Sequence, residues 1–557
     1  MPIKLQKLPA AVRWGLAVLC AAVCGVLWAY YWRVFFGLDN RVSPLVVTLG
    51  CAAFLEVCLL AGDCVRRFAK GFAAKGAVCI FLCGLLFAFA NPPLQTPDEA
   101  DHYLRTYAIS TGHFDFDASR TYPDDVAYLL EAFPGAWVNA HTSAGVGTDP
   151  DTGAEKAYNT AGYALKQYGK DGAVQSMADS FALYLAHDVR DSVPAPVSEP
   201  VSFLVIPFLP GAVGMALARL LGFGALGCLY GGRIVNLLAY TLLCALALAK
   251  AERYRPAFAA IMLLPMSLFM GASLSYDATL LGCYYLMLAL LTRKEWNTQT
   301  AGIYTAACIF VNIAKPYLNL LWVLPIFLVA KREWHAKGRR PLWALGGFGG
   351  AMAVTLLTEW YGTAFRYNYP MIERQGGSTV NGGEQLAFVL RNPLRTIAAF
   401  CGTLGENDFF IGQLGLFGWK DLPISFLNLT GPLVLLLAAL LAAAQPKRAD
   451  AFPTRRRVGG VALLALVYAA GAMAAMYITY TPVGMVRIVG LQARYFLCVW
   501  LALLPALAVL LRKTIRPAIT EEKAEAAITP LCACYAVFGA VLLFQHYFVG
   551  PVYVVYA

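Results

Sequence analysis

Charged residues are scarce in this chain of 557 residues: Asp, Glu, Lys and Arg make up 14%, whereas hydrophobic residues make up 59%. Soluble globular domains carry about 25% charged residues, so the composition excludes an ordinary soluble protein. Apolar runs of roughly 20 residues recur along the whole sequence, and each is long enough to cross a bilayer as a helix. The sequence therefore predicts an all-α polytopic membrane protein.

Motifs for chemistry on soluble substrates are absent as well. The sequence has no phosphate-binding P-loop, no dinucleotide-binding fingerprint, no HExxH zinc motif and no Cys/His metal spacing. No segment predicted to be cytoplasmic is long enough to fold a nucleotide-binding domain. Chemistry is therefore expected on the extracytoplasmic side of the membrane, where nucleotide sugars are not available. An activated substrate would arrive within the membrane, most simply as a lipid phosphate.

The 15 cysteines do not indicate a disulfide framework. None lies in residues 84–226, and most lie inside apolar runs, where they act as small buried hydrophobes. The net charge of +11 does not indicate a nucleic-acid partner, because the basic residues cluster at the ends of apolar runs. Membrane lipids are the expected surroundings.

The basic clusters predict a topology. Seven clusters, beginning at Lys4, Arg66, Lys250, Arg293, Lys331, Lys447 and Arg512, contain more than half of the 44 Lys and Arg residues. Placing all of them in the cytoplasm puts the N-terminus inside and the C-terminus outside. The first span is expected to be an anchor and not a cleaved leader, because its apolar run is long and more spans follow. Thirteen spans result, at residues 13–32, 44–62, 76–91, 230–250, 256–272, 275–292, 299–314, 316–331, 341–361, 421–444, 458–480, 494–512 and 527–549.

Residues 201–224 are also apolar enough to span, but a crossing there would invert every later basic cluster. We therefore expect this segment to be a helix lying along, or dipping into, the outer leaflet.

Two hairpins must be short. Segments 256–292 and 299–331 have cytoplasmic charge at both ends, so each crosses twice with helices that are short for a hydrocarbon core of about 30 Å. Their outer tips carry Tyr276, Asp277 and Lys315, which predicts a polar cavity below the outer surface. In the alternative interpretation, Asp277 and Lys315 pair only to neutralise two buried charges.

Residues 96–105, with the sequence TPDEADHYLR, place ionisable groups where the third span leaves the bilayer. Such groups are costly at a membrane boundary and usually mark a site. Thr96 is expected to cap a helix that starts at Pro97. Glu99 has two interpretations, because it could take part in chemistry or only complete a Thr96-x-x-Glu99 capping box.

The predicted helix would align several candidates for catalysis. Asp98, Asp101 or His102, and Arg105 would lie on one face. An acid, an imidazole and a guanidinium on one face suit proton transfer beside a bound phosphate. Farther along, Arg494 starts a span, where it could contact an anionic head group or merely extend towards water.

These residues resemble a known family of bacterial membrane proteins, domain of unknown function 2142. The resemblance covers roughly residues 76–549 and includes Pro92 to Glu99, His102, Arg105, Arg233, Asn236, Ser275 to Asp277, Lys315 with Pro316, Gly415 to Trp419, and Gln492 to Tyr495. Ala493 stands where the family usually has glycine. The family is grouped with the type-C (GT-C) glycosyltransferases. The Asp-Glu pair at the start of the first large outer loop, here Asp98 and Glu99, resembles the catalytic acid site of enzymes in that superfamily.

The resemblance implies a GT-C-like helical bundle with a large extracytoplasmic first loop. The expected organisation has two extra N-terminal transmembrane helices in 1–75 and a core in 76–361 that includes the outer loop 92–229. A second outer loop follows in 362–420, and C-terminal transmembrane helices in 421–557. The protein is expected in the bacterial cytoplasmic membrane, with its active site outside.

The resemblance also implies a function. A sugar would pass from a polyprenyl-phosphate donor to a cell-envelope glycan, lipid or protein, with Asp98 as general base and Glu99 as the second catalytic candidate. A divalent metal ion bound by Asp98, Glu99 and Asp277 is a candidate cofactor. The substrate-binding candidates are Asp101, His102, Arg105, Arg233, Tyr276, Asp277, Lys315, Gln492, Arg494 and Tyr495. Alternatives are a transporter or flippase of lipid-linked saccharides, or an inactive scaffold that binds them.

Overall fold

The computed structural model describes most of the chain from residue 69 onwards. The described residues are 15, 18, 22, 69–114, 121–133, 145–148, 155–159, 167–168, 174–175, 177–186, 192–194, 205–315, 321–329, 331–366, 373–374, 378–405, 412–418, 422–443, 454–511, 519–549 and 555–556. The predicted spans 13–32 and 44–62 fall outside these ranges except for three single residues. By its contacts the chain divides into two compact units, Met1–Val78 and Cys79–Ala557.

Helices dominate the described residues, as the composition predicts. The α-helices are Phe72–Ala90, Glu99–Ser110, Asp124–Ala132, Met177–Leu185, Leu209–Leu220, Ala225–Lys250, Arg255–Met262, Pro265–Gly271, Asp277–Leu290, Thr298–Ala314, Leu324–Leu328, Arg340–Arg366, Gly382–Arg391, Pro393–Gly405, Ser425–Ala443, Thr454–Thr479, Leu497–Leu511 and Glu521–Phe544. Short 3-10 helices precede two of them, at Ile206–Phe208 and Ala493–Phe496.

The strands in the described ranges are short and antiparallel. They are Thr121–Pro123, Gly145–Thr148, Glu155–Asn159, Gln167–Tyr168, Val174–Gln175, Ser192–Pro194, Glu373–Arg374, Ser378–Thr379, Leu416–Phe417, Leu422–Pro423 and Val555–Tyr556. Six of them lie in the predicted first outer loop, where they join short helices.

Four helices of the described chain are long and apolar enough to cross a membrane: Phe72–Ala90, Ala225–Lys250, Phe426–Ala443 and Glu522–Phe544. Shorter apolar helices include Ile206–Leu220 and Asp277–Leu290. These helices support a membrane protein. The count of thirteen spans stays a prediction.

The first short hairpin contains a broken helix. The sequence predicts one span over 256–272, but the structure has two helices there, Arg255–Met262 and Pro265–Gly271. Pro265 explains the interruption, because proline lacks the backbone N–H and its ring clashes with the preceding turn of a continuous helix. The prediction of a single helix is therefore wrong, and the tip that precedes Asp277 is reached by two short helices.

The segment predicted to lie on the outer leaflet forms the 12-residue helix Leu209–Leu220. It packs against the helix Ala225–Lys250, which we call the core helix, through two glycines. A Cβ atom on Gly214 would lie 2.2 Å from the carbonyl oxygen of Gly231, so the two backbones are in direct contact. At about 1.5 Å per residue this helix is shorter than the hydrocarbon core.

Candidate active site

A buried ion pair organises the start of the first outer loop. The Arg233 guanidinium on the core helix donates from Nε to Glu99 Oε1 at 2.8 Å and from Nη2 to Glu99 Oε2 at 2.5 Å, and both side chains are fully buried. Arg233 also donates to the carbonyl oxygens of Ala88, Asn91 and Pro92. One guanidinium therefore ties the end of the helix Phe72–Ala90 to the loop that follows it.

The surroundings of Glu99 favour the structural interpretation over a catalytic one. Its Oε1 accepts from the backbone N–H of Leu274 at 3.1 Å, and its Oε2 from that of Thr96 at 3.4 Å. Both carboxylate oxygens thus contact donors within the protein. The second contact is half of the predicted capping box.

The helix itself starts later than the sequence predicts. Its first residue is Glu99 and its N-cap is Asp98, which has the left-handed angles φ 60 and ψ 12, so the expected start at Pro97 with Thr96 as cap is wrong. Aspartate is one of the few residues other than glycine that adopt this conformation. Residues held in such conformations cluster at functional sites.

The core helix also holds the tip of the first hairpin. Asn236 Nδ2 donates to the carbonyl oxygens of Ser273 at 2.7 Å and Ser275 at 2.9 Å. The Ser275 hydroxyl in turn accepts from the backbone N–H of Asp277 at 3.1 Å. Arg233 and Asn236 are three residues apart, so one face of one helix positions the segments of both Asp98 and Asp277.

Four ionisable side chains meet beside this helix, and we call Asp98, Asp277, Lys315 and Arg494 the charged cluster. Arg494 lies 3.5 Å from Asp98 through Nη2 and 3.5 Å from Asp277 through Nε. Lys315 Nζ lies 3.4 Å from the other oxygen of Asp277. Lys315 and Asp277 therefore do pair, but Arg494 joins their pair to Asp98.

Exposure distinguishes the members of the charged cluster. The Asp98 side chain is 33% exposed, whereas those of Arg494, Lys315 and Asp277 are 7 to 8% exposed. Asp98 is thus the carboxylate that an incoming group can reach.

Two tyrosines flank the cations. Lys315 Nζ lies 3.8 Å from the centre of the Tyr495 ring and 5.9 Å from that of Tyr276. The Arg494 guanidinium lies 5.5 Å from the Tyr495 ring. A cation over an aromatic face is stabilised by the ring quadrupole, which helps to hold two positive charges in a buried place.

A cavity adjoins the charged cluster. Its volume is about 360 Å³, counting the solvent at its mouth. Four predicted site residues line it, namely Asp277, Lys315, Arg494 and Tyr495. The sequence did not point to the other lining residues, because they are ordinary apolar or aromatic helix residues: Met270, Leu280, Leu281, Tyr284, Tyr468 and Cys498.

His102 packs among aromatic rings one turn after Asp98. Its ring centre is 5.2 Å from Tyr276 and 5.6 Å from Phe208. Burial lowers the pKa of His102, although the nearby carboxylates of Asp98 and Asp277 oppose part of this effect. The imidazole is therefore neutral at pH 7, which makes it a weaker phosphate ligand than the cations of the charged cluster.

The remaining candidates lie outside the cavity walls. Arg105 is buried and donates from Nη2 to the carbonyl oxygen of Phe114 at 2.9 Å, in the loop after its own helix. Asp101 and Gln492 are half-buried, and the Gln492 carbonyl accepts from the N–H of Tyr495. Arg233 contacts Glu99 and backbone carbonyls, as described above.

The carboxylates do not form a metal site in the described ranges. Glu99 is bound by Arg233, while Asp98 and Asp277 share the cation Arg494. Among the residues that the structure describes, no group of three or more His, Cys, Asp or Glu side chains is placed to hold an ion. A divalent ion bound by Asp98, Glu99 and Asp277 does not fit this arrangement.

Long apolar helices around a charged cluster define an integral-membrane protein with a polar internal site. The model of the family described as predicted membrane protein DUF2142 matches residues 81–503, and the chain belongs to this family. The resemblance to domain of unknown function 2142 is thereby confirmed over these residues. No curated protein and no solved structure matches the sequence.

Proposed function

We propose that the protein is an integral-membrane glycosyltransferase of the inverting GT-C type. It would transfer a sugar from a polyprenyl-phosphate donor to a hydroxyl group of a cell-envelope acceptor, on the extracytoplasmic side of a bacterial membrane. The observation that carries the proposal is the 3.5 Å contact between the partly exposed carboxylate of Asp98 and the buried cation Arg494, which itself lines a cavity.

The proposed reaction needs a base and an anion site close together. Asp98 takes the proton of the acceptor hydroxyl as its oxygen attacks the anomeric carbon of the sugar. The bond from that carbon to the phosphate oxygen breaks, and its electron pair leaves with the polyprenyl phosphate. Attack opposite the leaving group inverts the anomeric configuration. The increased negative charge on the phosphate is stabilised by Arg494 and Lys315, fixed cations in a site of low polarity.

The charged cluster is formally neutral, so an anionic ligand would have to displace one of its carboxylates from a cation. Two cations face two carboxylates, and Asp277 lies between Lys315 and Arg494. A donor phosphate would replace Asp98 as one partner of Arg494, and the freed carboxylate would then accept the acceptor proton. Tyr495, next to both cations, would contact the phosphate or the sugar ring. The role of Glu99, Arg233 and Asn236 would be structural: they fix the segments that carry Asp98 and Asp277.

A second candidate is a transporter of lipid-linked saccharides. One observation favours it, namely the interruption between Arg255–Met262 and Pro265–Gly271. Transporters commonly bind substrates where a membrane helix is broken. In a transporter the glycosidic bond survives, so bond cleavage distinguishes the two candidates.

The experiment uses purified protein in proteoliposomes with envelope extract as acceptor and a panel of labelled polyprenyl-phosphate sugars. We expect release of polyprenyl phosphate together with a labelled product. Asp98→Asn should lower turnover by at least about 100-fold with donor affinity retained, because asparagine keeps the shape but cannot act as a base. Arg494→Ala should weaken donor binding, because the phosphate contact also forms before reaction.

Glu295→Gln removes an exposed carboxylate far along the chain and serves as the matched control for Asp98→Asn. Wild-type turnover in Asp98→Asn would show that the proposed base is wrong. Movement of intact donor across the bilayer without cleavage would favour the transporter.

A further inference from the structure

Two short helices that the proposed chemistry does not use follow each other at Gly382–Arg391 and Pro393–Gly405, and we call them the helix pair. They contain 10 and 13 residues. At about 1.5 Å per residue neither reaches across a hydrocarbon core of about 30 Å. The helix pair is therefore not a pair of spans, and the place of its apolar side chains needs another explanation.

One face of the helix pair is fixed to the protein by polar contacts. Gln385 is fully buried, and its Oε1 accepts from the backbone N–H of Gly484 at 2.8 Å. The Thr403 hydroxyl is also buried and accepts from the backbone N–H of Ile488 at 3.0 Å. Both contacts are made to the segment 481–490, which leads directly to Arg494. The helix pair thus has a fixed orientation on the segment 481–490, which precedes Arg494 in the chain.

The opposite face is apolar and exposed. Leu390 is 75% exposed and Leu394 is 80% exposed, and Leu386 and Ile397 are exposed as well. Leu386 and Leu390 are four residues apart in the first helix, and Leu394 and Ile397 are three apart in the second, so each pair lies on one side of its helix. Val486, in the segment that the helix pair contacts, is 77% exposed and adds a further apolar side chain. Exposed apolar side chains that recur along short helices in this way indicate an interaction surface.

Charge indicates what covers this surface. Arg391 and Arg395 are exposed, and each directly follows one of the two most exposed leucines of the helix pair. Short helices with leucines on one face and arginines beside them are typical of segments that lie in the membrane interface. Anionic head groups attract basic residues next to such a face. A contact with a second copy of the chain would instead be expected to have few charges at its centre.

We propose that the helix pair docks onto an anionic lipid surface. Leu386, Leu390, Leu394 and Ile397 enter the boundary between head groups and acyl chains, while Arg391 and Arg395 contact head-group phosphates. Because Gln385 and Thr403 bind the segment 481–490, this docking also holds the approach to Arg494 at a set depth in the membrane. The proposal is independent of the reaction assigned to the charged cluster.

The test places the photo-crosslinking residue p-benzoylphenylalanine at position 394 of the full-length protein. The protein is reconstituted in nanodiscs made of equal amounts of phosphatidylglycerol and phosphatidylcholine, and adducts are identified by mass spectrometry after irradiation. We expect lipid adducts, with phosphatidylglycerol exceeding phosphatidylcholine at least about threefold, because each arginine near the surface favours anionic lipid.

The double variant Arg391→Gln/Arg395→Gln should bring this ratio to about one. Its matched control is Arg332→Gln/Lys337→Gln, which removes two exposed cations from another loop and should leave the ratio unchanged. Hydrogen exchange of residues 382–405 gives a second measurement. Their amides should exchange more slowly in anionic than in zwitterionic nanodiscs in the parent protein, but not in the double variant.

Several outcomes would overturn the proposal. Position 394 forming no lipid adduct would show that the leucines do not reach lipid. Crosslinking to a second copy of the chain would assign the surface to self-association. An adduct ratio that is the same in the parent protein and in Arg391→Gln/Arg395→Gln would show that these arginines do not select anionic lipid.

Discussion

Asp98 and Glu99 are neighbours in the chain, yet their carboxylates lie in different surroundings. Glu99 is fully buried against Arg233, whereas Asp98 is one-third exposed and contacts Arg494. Asp98 has a left-handed backbone and precedes the helix that Glu99 begins, and its side chain makes no capping hydrogen bond to that helix. Of these two adjacent acids, Asp98 is thus the candidate base and Glu99 is a structural residue.

We predict that Glu99→Gln strongly destabilises the protein. Glutamine can still accept the N–H of Thr96, but it leaves the buried Arg233 without a charge partner, which costs about 3–5 kcal/mol of unfolding free energy. The double variant Glu99→Gln/Arg233→Met should lose much less than the sum of the single changes. Thermal unfolding in detergent measures both.

The ion pair of Glu252 with Arg293 is the matched control, because its side chains are 33% and 21% exposed and 3.6 Å apart. Glu252→Gln should cost less than about 1 kcal/mol. Equal losses in Glu99→Gln and Glu252→Gln would refute the role given to burial.

At the scale of elements, tight backbone geometry positions the charged groups. The core helix packs on Leu209–Leu220 through Gly214 and Gly231, and the tip before Asp277 follows two short helices separated at Pro265. Near Arg494, Gly490 has a φ of +77, which residues with a side chain rarely adopt. The backbone at these positions determines where the charged side chains of Asp277 and Arg494 lie.

Gly490→Ala should displace the segment that leads to Arg494. A Cβ atom there would lie 2.5 Å from Cε1 of Tyr480, in addition to the strain of the positive φ. We expect a loss of about 1–3 kcal/mol in stability and weaker donor binding. Thermal unfolding and a donor-binding assay measure the two effects.

Gly471→Ala is the control, because that glycine lies inside the helix Thr454–Thr479 and nothing lies within 4 Å of the added Cβ. It should be neutral or slightly stabilising. Unchanged donor binding in Gly490→Ala would mean that this turn does not position Arg494.

At the scale of the whole molecule, the charged cluster is assembled from distant parts of the chain. Asp98 and Arg494 are 396 residues apart in sequence, Asp277 begins the helix Asp277–Leu290, and Lys315 follows the helix Thr298–Ala314. Four of the described helices are long and apolar enough to cross a membrane, so this assembly belongs to a membrane protein. Membrane sidedness is the property that the basic clusters predict and that experiment can test.

The predicted topology places His113 outside and His335 in the cytoplasm. Both residues are exposed, so a cysteine at either position can react. In intact cells a membrane-impermeant maleimide should label His113→Cys above the background of the unsubstituted parent. His335→Cys should be labelled only after permeabilisation. Labelling of position 335 from outside would contradict the thirteen-span topology.

The class of the protein can be read from its amino-acid sequence alone. Composition, helix length and the motifs at 92–105 and 492–495 sufficed for a helical membrane protein of its family, because burial in lipid demands apolar runs that can be read locally. The motifs also identified most of the ionisable residues at the candidate site.

The pairing of the charged side chains became known only from the packing of the helices. Glu99 binds Arg233, Arg494 joins Asp98 to Asp277, and Tyr284 and Tyr468 line the cavity. Sequence patterns could not predict these contacts, because each depends on the packing of helices that are far apart in the chain. The helix at Asp98 also begins later than its local capping signal predicts, and its first residue, Glu99, is bound by Arg233, 134 residues away in the chain.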